Sequence, residues 1–294
     1  MTVKILNFGS LNIDHVYHVD KFVTPGETKL TKNLTKFAGG KGNNQSIALA
    51  KAGAQVYHAG AIGADGQFLL DNLTKENINI DHIAINPDVA TGHAIIQVNA
   101  EGENCILLHG GANQEISVDY ISQVLNHFSK NDILLLQNEV SNLDKIIEIA
   151  GEKQMVIYFN PAPICDKLLS YPLQYIDTFI VNVPEAKAIT NGHSTDEMLD
   201  KMAQLFPNSK VILTLGEQGV IYQDKTTRIS QAAYKVNAID TTAAGDTFLG
   251  YFLASLQSNT DVKTALQIAC KAASITVTRA GATSSIPYLH ELNL

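Results

Sequence analysis

Short apolar runs rich in β-branched residues recur along the chain: Val3–Phe8, Val56–Ile62, Ile133–Leu136, Met155–Phe159, Phe179–Val181, Val211–Leu213 and Val220–Tyr222. Runs of this length, several ending on Asn, Gly or Thr, predict buried strands. Between them the apolar positions change to helical spacing, over Gly42–Ala52, Gln67–Lys75, Val118–Phe128, Leu143–Ala150, Asp196–Phe206, Asp246–Leu256 and Val262–Thr278. This alternation predicts an α/β fold, a mostly parallel central sheet with helices on both faces. Ligands of such sheets bind beyond the carboxyl ends of the strands, so the residues just after each run carry the candidate chemistry.

Two stretches break the alternation. His15–Phe37 and His93–Leu108 have apolar residues at every second position, with Pro25-Gly26 and Glu101-Gly102-Glu103-Asn104 as turn signals. Val16, Ile95, Val98, Ile106 and Leu108 are expected to share the apolar face of a small β-sheet that projects as a lid. No internal repeat or low-complexity linker divides the rest. The expectation is one domain over residues 1–294, with a discontinuous lid from about 15–37 and 93–108. So few strands cannot cover an apolar face alone, which predicts a homodimer through lid-to-lid packing.

Composition narrows the function classes. The chain has 294 residues, 45% hydrophobic and 17% charged, which excludes disordered and coiled-coil classes. Its net charge of −8 argues against a broad grip on nucleic acid or an anionic membrane. A small phosphate-bearing ligand stays open, because a few backbone N–H groups can hold one. Cys105, Cys165 and Cys270 lie far apart without metal-ligand spacing, and are expected to be buried free thiols in a reducing compartment. No apolar run has the length of a membrane span and the N-terminus lacks a signal-peptide build, so a cytoplasmic location is expected.

The strongest local signal is Asp240-Thr-Thr-Ala-Ala-Gly-Asp246, followed by Phe248, Leu249, Phe252, Leu253 and Leu256 at helical spacing. Ala243, Ala244 and Gly245 are small enough to let a phosphate reach the free N–H groups of a first helical turn. Asp246 beside that anion hole could take a proton from an attacking hydroxyl. An ordinary Asp cap on a well-packed helix is the competing explanation. A second glycine-rich turn, Ala38-Gly39-Gly40-Lys41-Gly42-Asn43-Asn44, fits neither a Walker A loop nor a dinucleotide fingerprint. It offers close backbone approach, one cation and the Asn44 amide, or else a tight turn with a solvated lysine. After the first strand, Asn12 and Asp14 fall on one side of an extended chain and could read sugar hydroxyls. Further polar groups follow other strands: Gln137-Asn138-Glu139, Asn160-Pro-Ala-Pro163, Asn182-Val-Pro-Glu185 and Thr214-Leu-Gly216. The histidines, His15 and His18 included, show no metal-binding arrangement.

Together Gly39-Gly40-Lys41-Gly42 and Asp240-Thr-Thr-Ala-Ala-Gly-Asp246 resemble the two signature regions of the ribokinase-like (PfkB) carbohydrate kinase family. Gly9-Ser10-x-Asn12-x-Asp14, Pro25-Gly26-Glu27-Thr28, Glu101-Gly-Glu-Asn104, His109-x-Gly-Ala-Asn113, Asn160-Pro-Ala-Pro163 and Thr278-Arg279-x-Gly281-Ala282 extend the resemblance over most of the chain. The resemblance implies ATP-dependent phosphorylation of D-ribose at its 5-hydroxyl, with Mg2+ and K+. Asn12, Asp14, Gly40, Lys41, Asn44 and Glu139 would hold the sugar, and Asp246 would be the catalytic base beside the Ala243–Gly245 anion hole. Asn182 and Glu185 match an N-x-x-E element associated with magnesium and phosphate. Thr214, Gly216 and Gly219 match a nucleotide-binding loop, to which Asn182 and Gly245 would add contacts. A potassium site would use Asp240, Thr242, Thr276, Arg279, Gly281 and Ser285, several through backbone carbonyls. An Asp240–Arg279 pair in a capped loop is the alternative to that site. Asn43 stands where the family usually has a small residue, and Val183-Pro184 replaces more polar residues inside N-x-x-E. Rival functions are a deoxyribose, fructose or nucleoside kinase, and a non-catalytic sugar-binding module on the same fold.

Overall fold

The computed structural model describes residues 3–293. In chain order the strands are β1 (Ile5–Phe8), β2 (Asn12–His18), β3 (Asn33–Gly39), β4 (Val56–Ile62), β5 (Asn79–Ile85), β6 (Gly92–Val98), β7 (Asn104–His109), β8 (Ile133–Gln137), β9 (Val156–Asn160), β10 (Thr178–Asn182), β11 (Lys210–Thr214), β12 (Val220–Gln223) and β13 (Arg228–Gln231). The helices are α1 (Lys41–Lys51), α2 (Gln67–Lys75), α3 (Val118–Leu125), α4 (Leu143–Glu152), α5 (Val183–Thr190), α6 (Thr195–Leu205), α7 (Ala244–Gln257) and α8 (Val262–Thr276).

Nine strands form the main sheet in the order β13-β12-β11-β10-β9-β8-β1-β4-β5. From β5 to β11 every pairing is parallel, while β12 and β13 return antiparallel at one edge. Alternation along each strand splits the core into two layers. In β8, Ile133 and Leu135 join the layer under α1, α2, α7 and α8, and Leu134 and Leu136 join the layer under α3 to α6. Residues buried on both faces explain why these strands read as unbroken apolar runs. The chain leaves β1 toward β4 and β5, then returns to β8 on the other side of β1. That reversal opens a crevice at the carboxyl ends of β1 and β8.

The second sheet has four strands in the order β3-β2-β6-β7, with β2 and β6 parallel. It begins at Asn12, three residues before the expected start. Paired residues share a face: Val16 with Ile96, Ile96 with Ile106, and Ala94 with Leu108. Val16, Val98, Ile106 and Leu108 therefore share the apolar face, with Asp14 and Phe37. Ile95 does not. It pairs with His15 and Leu107 on the opposite face, so placing it with the others is corrected by the register.

Three elements went unrecognised in the sequence. β5 and β13 are edge strands whose apolar residues are broken up by polar ones, Asn79, Asp81 and His82 in β5 and Arg228, Ser230 and Gln231 in β13, and α5 begins at a proline-containing turn. The helix expected over Val118–Phe128 ends at Leu125. The thiols also differ from expectation. Cys270 is buried in α8, but Cys105 lies exposed on the edge strand β7 and Cys165 in an exposed loop after β9.

Candidate active site

The crevice is shaped first by backbone proximity. A Cβ on Gly9 would overlap the Gln137 side-chain oxygen and come within 2.7 Å of the Gly42 Cα. The α1 start therefore lies directly over the end of β1. Gly40, just before α1, has φ +91°, a conformation that favours glycine. These constraints explain a glycine-rich turn at this place without a Walker A pattern.

On the small-sheet side, Asn12 and Asp14 project from β2 on one face, as the alternation predicts. The Asn113 Nδ2 donates to Asn12 Oδ1 at 2.8 Å, and its Oδ1 accepts from the Leu11 N–H at 3.0 Å. The Asp14 carboxylate accepts no hydrogen bond among the described residues, and it packs against Gly39, where any Cβ would overlap it. Burial, with the charge of Glu139 beside it, pushes Asp14 up to about 6. Glu139 accepts from the Ser10 hydroxyl and, at 2.9 Å, from the Lys41 N–H. Burial still raises its pKa above the ordinary value, against those two hydrogen bonds.

Asp246 sits in the first turn of α7 and is buried. Both its oxygens are held from α1: Asn44 Nδ2 donates to Oδ2 at 3.1 Å and Gln45 Nε2 to Oδ1 at 2.8 Å. Ala243, preceding the helix, has φ +60°, which is strained for a residue with a Cβ. Gly245 has open space where a Cβ would lie. The Ala244 N–H donates to the Thr241 carbonyl at 3.3 Å, while the Gly245 N–H takes no carbonyl partner among the described residues. Lys41 stands in the field of Asp246 first, then Glu139 and Glu185, and these charges hold its ammonium above its ordinary pKa despite burial. It makes no ion pair among the described residues. One cation in the field of three carboxylates, Asp246, Glu139 and Glu185, leaves this part of the crevice with more carboxylates than cations.

The nucleotide-side candidates lie on the neighbouring strand ends. Asn182 and Thr214 are register partners at the ends of β10 and β11. Asn182 caps α5 and forms a reciprocal box with Glu185: Oδ1 accepts the Glu185 N–H at 2.8 Å, and the Asn182 N–H and Nδ2 donate to the Glu185 oxygens at 3.0 and 2.8 Å. Pro184 falls in the first helical turn, where a missing N–H costs little. Burial raises the Glu185 pKa above its ordinary value. Gly216 (φ +60°) and Gly219 (φ +106°) shape the turn after β11, and a Cβ on Gly219 would overlap the Gln231 carbonyl.

The Asp240 loop is tied to the same helix. Asp240 accepts from the Thr242 N–H and the Gly281 N–H, both at 2.9 Å. Burial opposes its ionisation, but hydrogen bonds from Thr242 and Gly281 outweigh it and hold the carboxyl below its ordinary value. Thr276 donates to the Thr247 hydroxyl at 3.0 Å, next to Asp246. Two side chains go elsewhere. Arg279 pairs with Glu291 at 2.7 Å rather than with Asp240, and the Ser285 hydroxyl donates to the Ala282 carbonyl at 2.6 Å.

The site also contains residues absent from the sequence-based set: Ser10, Gln45, Asn113 and Gln137. Each lies inside or beside a motif already marked by polar or glycine-rich character, yet its partner comes from a distant part of the chain. Spacing alone carries no signal for such contacts.

Over residues 3–289 the chain matches the pfkB family carbohydrate kinase model. It is 37% identical over 303 residues to a ribokinase of Staphylococcus aureus, covering 100% of this chain and 99% of the other. A crystal structure of ribokinase from Cryptococcus neoformans in complex with ADP superposes with a TM-score of 0.87 at 33% identity, covering 99% of both chains. Arabidopsis thaliana ribokinase complexed with ribose and ATP gives a TM-score of 0.87 at 26% identity, covering 100% of this chain and 98% of the other.

Proposed function

The chain belongs to the pfkB family of carbohydrate kinases, and on that premise we propose that it transfers the γ-phosphoryl group of ATP to the 5-hydroxyl of D-ribose. The observation that carries this reading is the Asp246 carboxylate at the start of α7, held by the side-chain amides of Asn44 and Gln45 in the first turns of α1 and lying in the field of Lys41. Similarity to ribokinases along the whole chain, one of them complexed with ribose and ATP, supports the substrate. A non-catalytic sugar-binding module would have no use for a base beside an anion hole.

In this account Asn12, Asp14, Gly40, Lys41, Asn44 and Glu139 hold the sugar hydroxyls. Asp246 accepts the proton of the 5-hydroxyl as that oxygen bonds to the γ-phosphorus and the bond to the bridging β–γ oxygen breaks. The N–H groups of Ala244 and Gly245 and the Lys41 ammonium stabilise the charge on the transferring group, and ADP leaves. Thr214, Gly216 and Gly219 line the nucleotide side. The surplus of carboxylates over cations in the crevice fits Mg2+, which binds through one or two carboxylates together with substrate phosphates. Glu185 with Asn182 would hold it, and it would neutralise phosphate charge. K+ fits the Asp240 loop, where no basic side chain pairs with the carboxylate among the described residues and Arg279 goes to Glu291 instead. There Thr242, Thr276, Arg279, Gly281 and Ser285 would serve largely through their backbones.

The small sheet acts as a lid over the sugar and as a dimer interface, through the face bearing Val16, Ile106 and Leu108. Exposed thiols and the need for ATP fit work in the cytoplasm. The test is ATP consumption with ribose, deoxyribose, fructose and adenosine, with the ribose product assigned by phosphorus NMR. Ribose 5-phosphate as the dominant product is expected. Preference for another acceptor, or phosphorylation at another hydroxyl, overturns the assignment.

A further inference from the structure

Five polar side chains without exposed surface run in a line away from Asp246: Gln45, Gln137, Asn7, Ser46 and His58. An amide has a donor end and an acceptor end, and its partners decide which way it faces. The line begins at a group that can only accept, the Gly42 carbonyl, 2.7 Å from Asn7 Nδ2. Asn7 must donate there, which turns its Oδ1 toward Gln137 Nε2 at 2.9 Å. Gln137 Nε2 gives its other hydrogen to Gln45 Oε1 at 2.6 Å. Gln45 is thereby left with its Nε2 toward Asp246 Oδ1. A second branch agrees: Asn160 Nδ2 donates to the Ile180 carbonyl at 2.9 Å, which leaves Asn160 Oδ1 facing Gln45 Nε2 at 3.4 Å.

Two backbone carbonyls therefore determine which end of Gln45 meets the carboxylate. At the far end Ser46 bonds His58 Nδ1 at 2.8 Å, and burial keeps that imidazole neutral at physiological pH, with a pKa down to about 4. The amides between carry no titratable proton, so the line orients rather than conducts. On the other carboxylate oxygen, Oδ2, the contact is Asn44, whose own Oδ1 is buried without a partner. Because Asn44 is itself one of the residues placed on the sugar, Oδ2 is the oxygen on the ligand side of the carboxylate in that reading. Buried polar groups are costly, and in this line Gln137 Oε1 and His58 Nε2 are buried without a partner, so an apolar filling would serve packing alone at least as well.

We propose that Gln45 is the positioning residue for the base, an N–H donor of fixed polarity that holds Asp246 Oδ1 so that Oδ2 meets the attacking hydroxyl. Gln137 and Asn7 act through it. This rests on Asp246 being the base, and the two ideas fail separately: Asp246→Asn tests the base, whereas the variants below leave that carboxylate in place.

The measurement is kcat and KM for ribose, with the ribose Kd by calorimetry, in Gln45→Met and Gln137→Met. Misplacement of a reacting group by about 1 Å costs on the order of 100-fold, so kcat in Gln45→Met is expected to fall roughly 10–100-fold while the ribose Kd stays within about threefold. Gln137→Met, which does not touch Asp246, should lower kcat in the same direction, and the double variant should be no worse than Gln45→Met alone. Gln45→Glu keeps the length and the acceptor for Gln137 but removes the donor, so it should lose kcat too and serves if the methionine variant fails to fold. Native kcat within twofold in a folded Gln45 variant overturns the proposal. So does a loss shared equally between kcat and ribose affinity, which a merely structural role would give.

Discussion

Replacing Asp14 with Asn should make the protein more stable and a poorer binder of ribose. Asp14 is pushed up to about 6 by burial and by Glu139, from an ordinary value of 3.8. Because the folded value is the higher one, ionisation opposes folding. The penalty is absent below the unfolded value, grows as pH rises from about 4 to 6, and is complete above the folded value. A shift of about two units corresponds to about 3 kcal/mol, and solvent reaching the open side of the crevice reduces this to about 1–3 kcal/mol. For a chain of this size, with an unfolding entropy of about 0.6 kcal/mol per degree at the midpoint, Tm should rise by about 2–5 °C at pH 7.5. The gain should shrink to about a third by pH 4.5, where both proteins carry a mostly neutral side chain in the folded state. Ribose affinity should fall about 10–150-fold, the worth of one charge-assisted hydrogen bond. Scanning calorimetry across pH, paired with ribose titrations, gives both numbers. A lower Tm for Asp14→Asn at pH 7.5, or a gain of equal size at both pH values, refutes the reasoning.

Other outcomes follow from particular residues. In the wild type, ribose KM should rise about tenfold per pH unit below about 6, as Asp14 takes up a proton, and a flat KM between pH 5 and 8 counts against its role. Ile106→Glu should give monomers by light scattering and Ile95→Glu should leave the dimer intact, because the two residues lie on opposite faces of the small sheet; the reverse pattern puts the interface on the other face. The kcat should be higher in potassium than in sodium or a tetraalkylammonium salt at matched ionic strength, and equal rates in all three remove the cation from the Asp240 loop.

Much of the architecture was legible because the central strands are buried on both faces. β1, β4 and β8 are apolar runs interrupted only by single buried polar residues, Asn7, His58 and Gln137, whereas β5 and β13 at the edges carry several polar residues where one side meets solvent. Face assignment in the small sheet needed the register: Ile95 is as apolar as Ile96, and only its pairing with Leu107 shows where it points. In the site, Lys41, Asn44 and Asp246 sit in motifs whose glycines and small residues have a local reason to be there. Gln45, Gln137 and Asn7 do not, since their meaning lies in a chain of contacts across α1, β1 and β8. Asn182 and Glu185 were visible as a pair, and the structure adds that they also form the cap of α5. Asn43 is fully buried with both amide atoms unpartnered, and nothing in the structure explains it.

The most direct measurement is the turnover of Asp246→Asn on ribose and ATP, with the ribose Kd determined on the same preparation. The side chain keeps its size and its place between Asn44 and Gln45, but an amide cannot take the hydroxyl proton. The expected result is a kcat lower by about 10²–10⁴-fold, with ribose still bound within about tenfold of the native affinity, a loss smaller than that of a charged contact to substrate. A variant that turns over ribose at near-native kcat would contradict the assignment of Asp246 as the base.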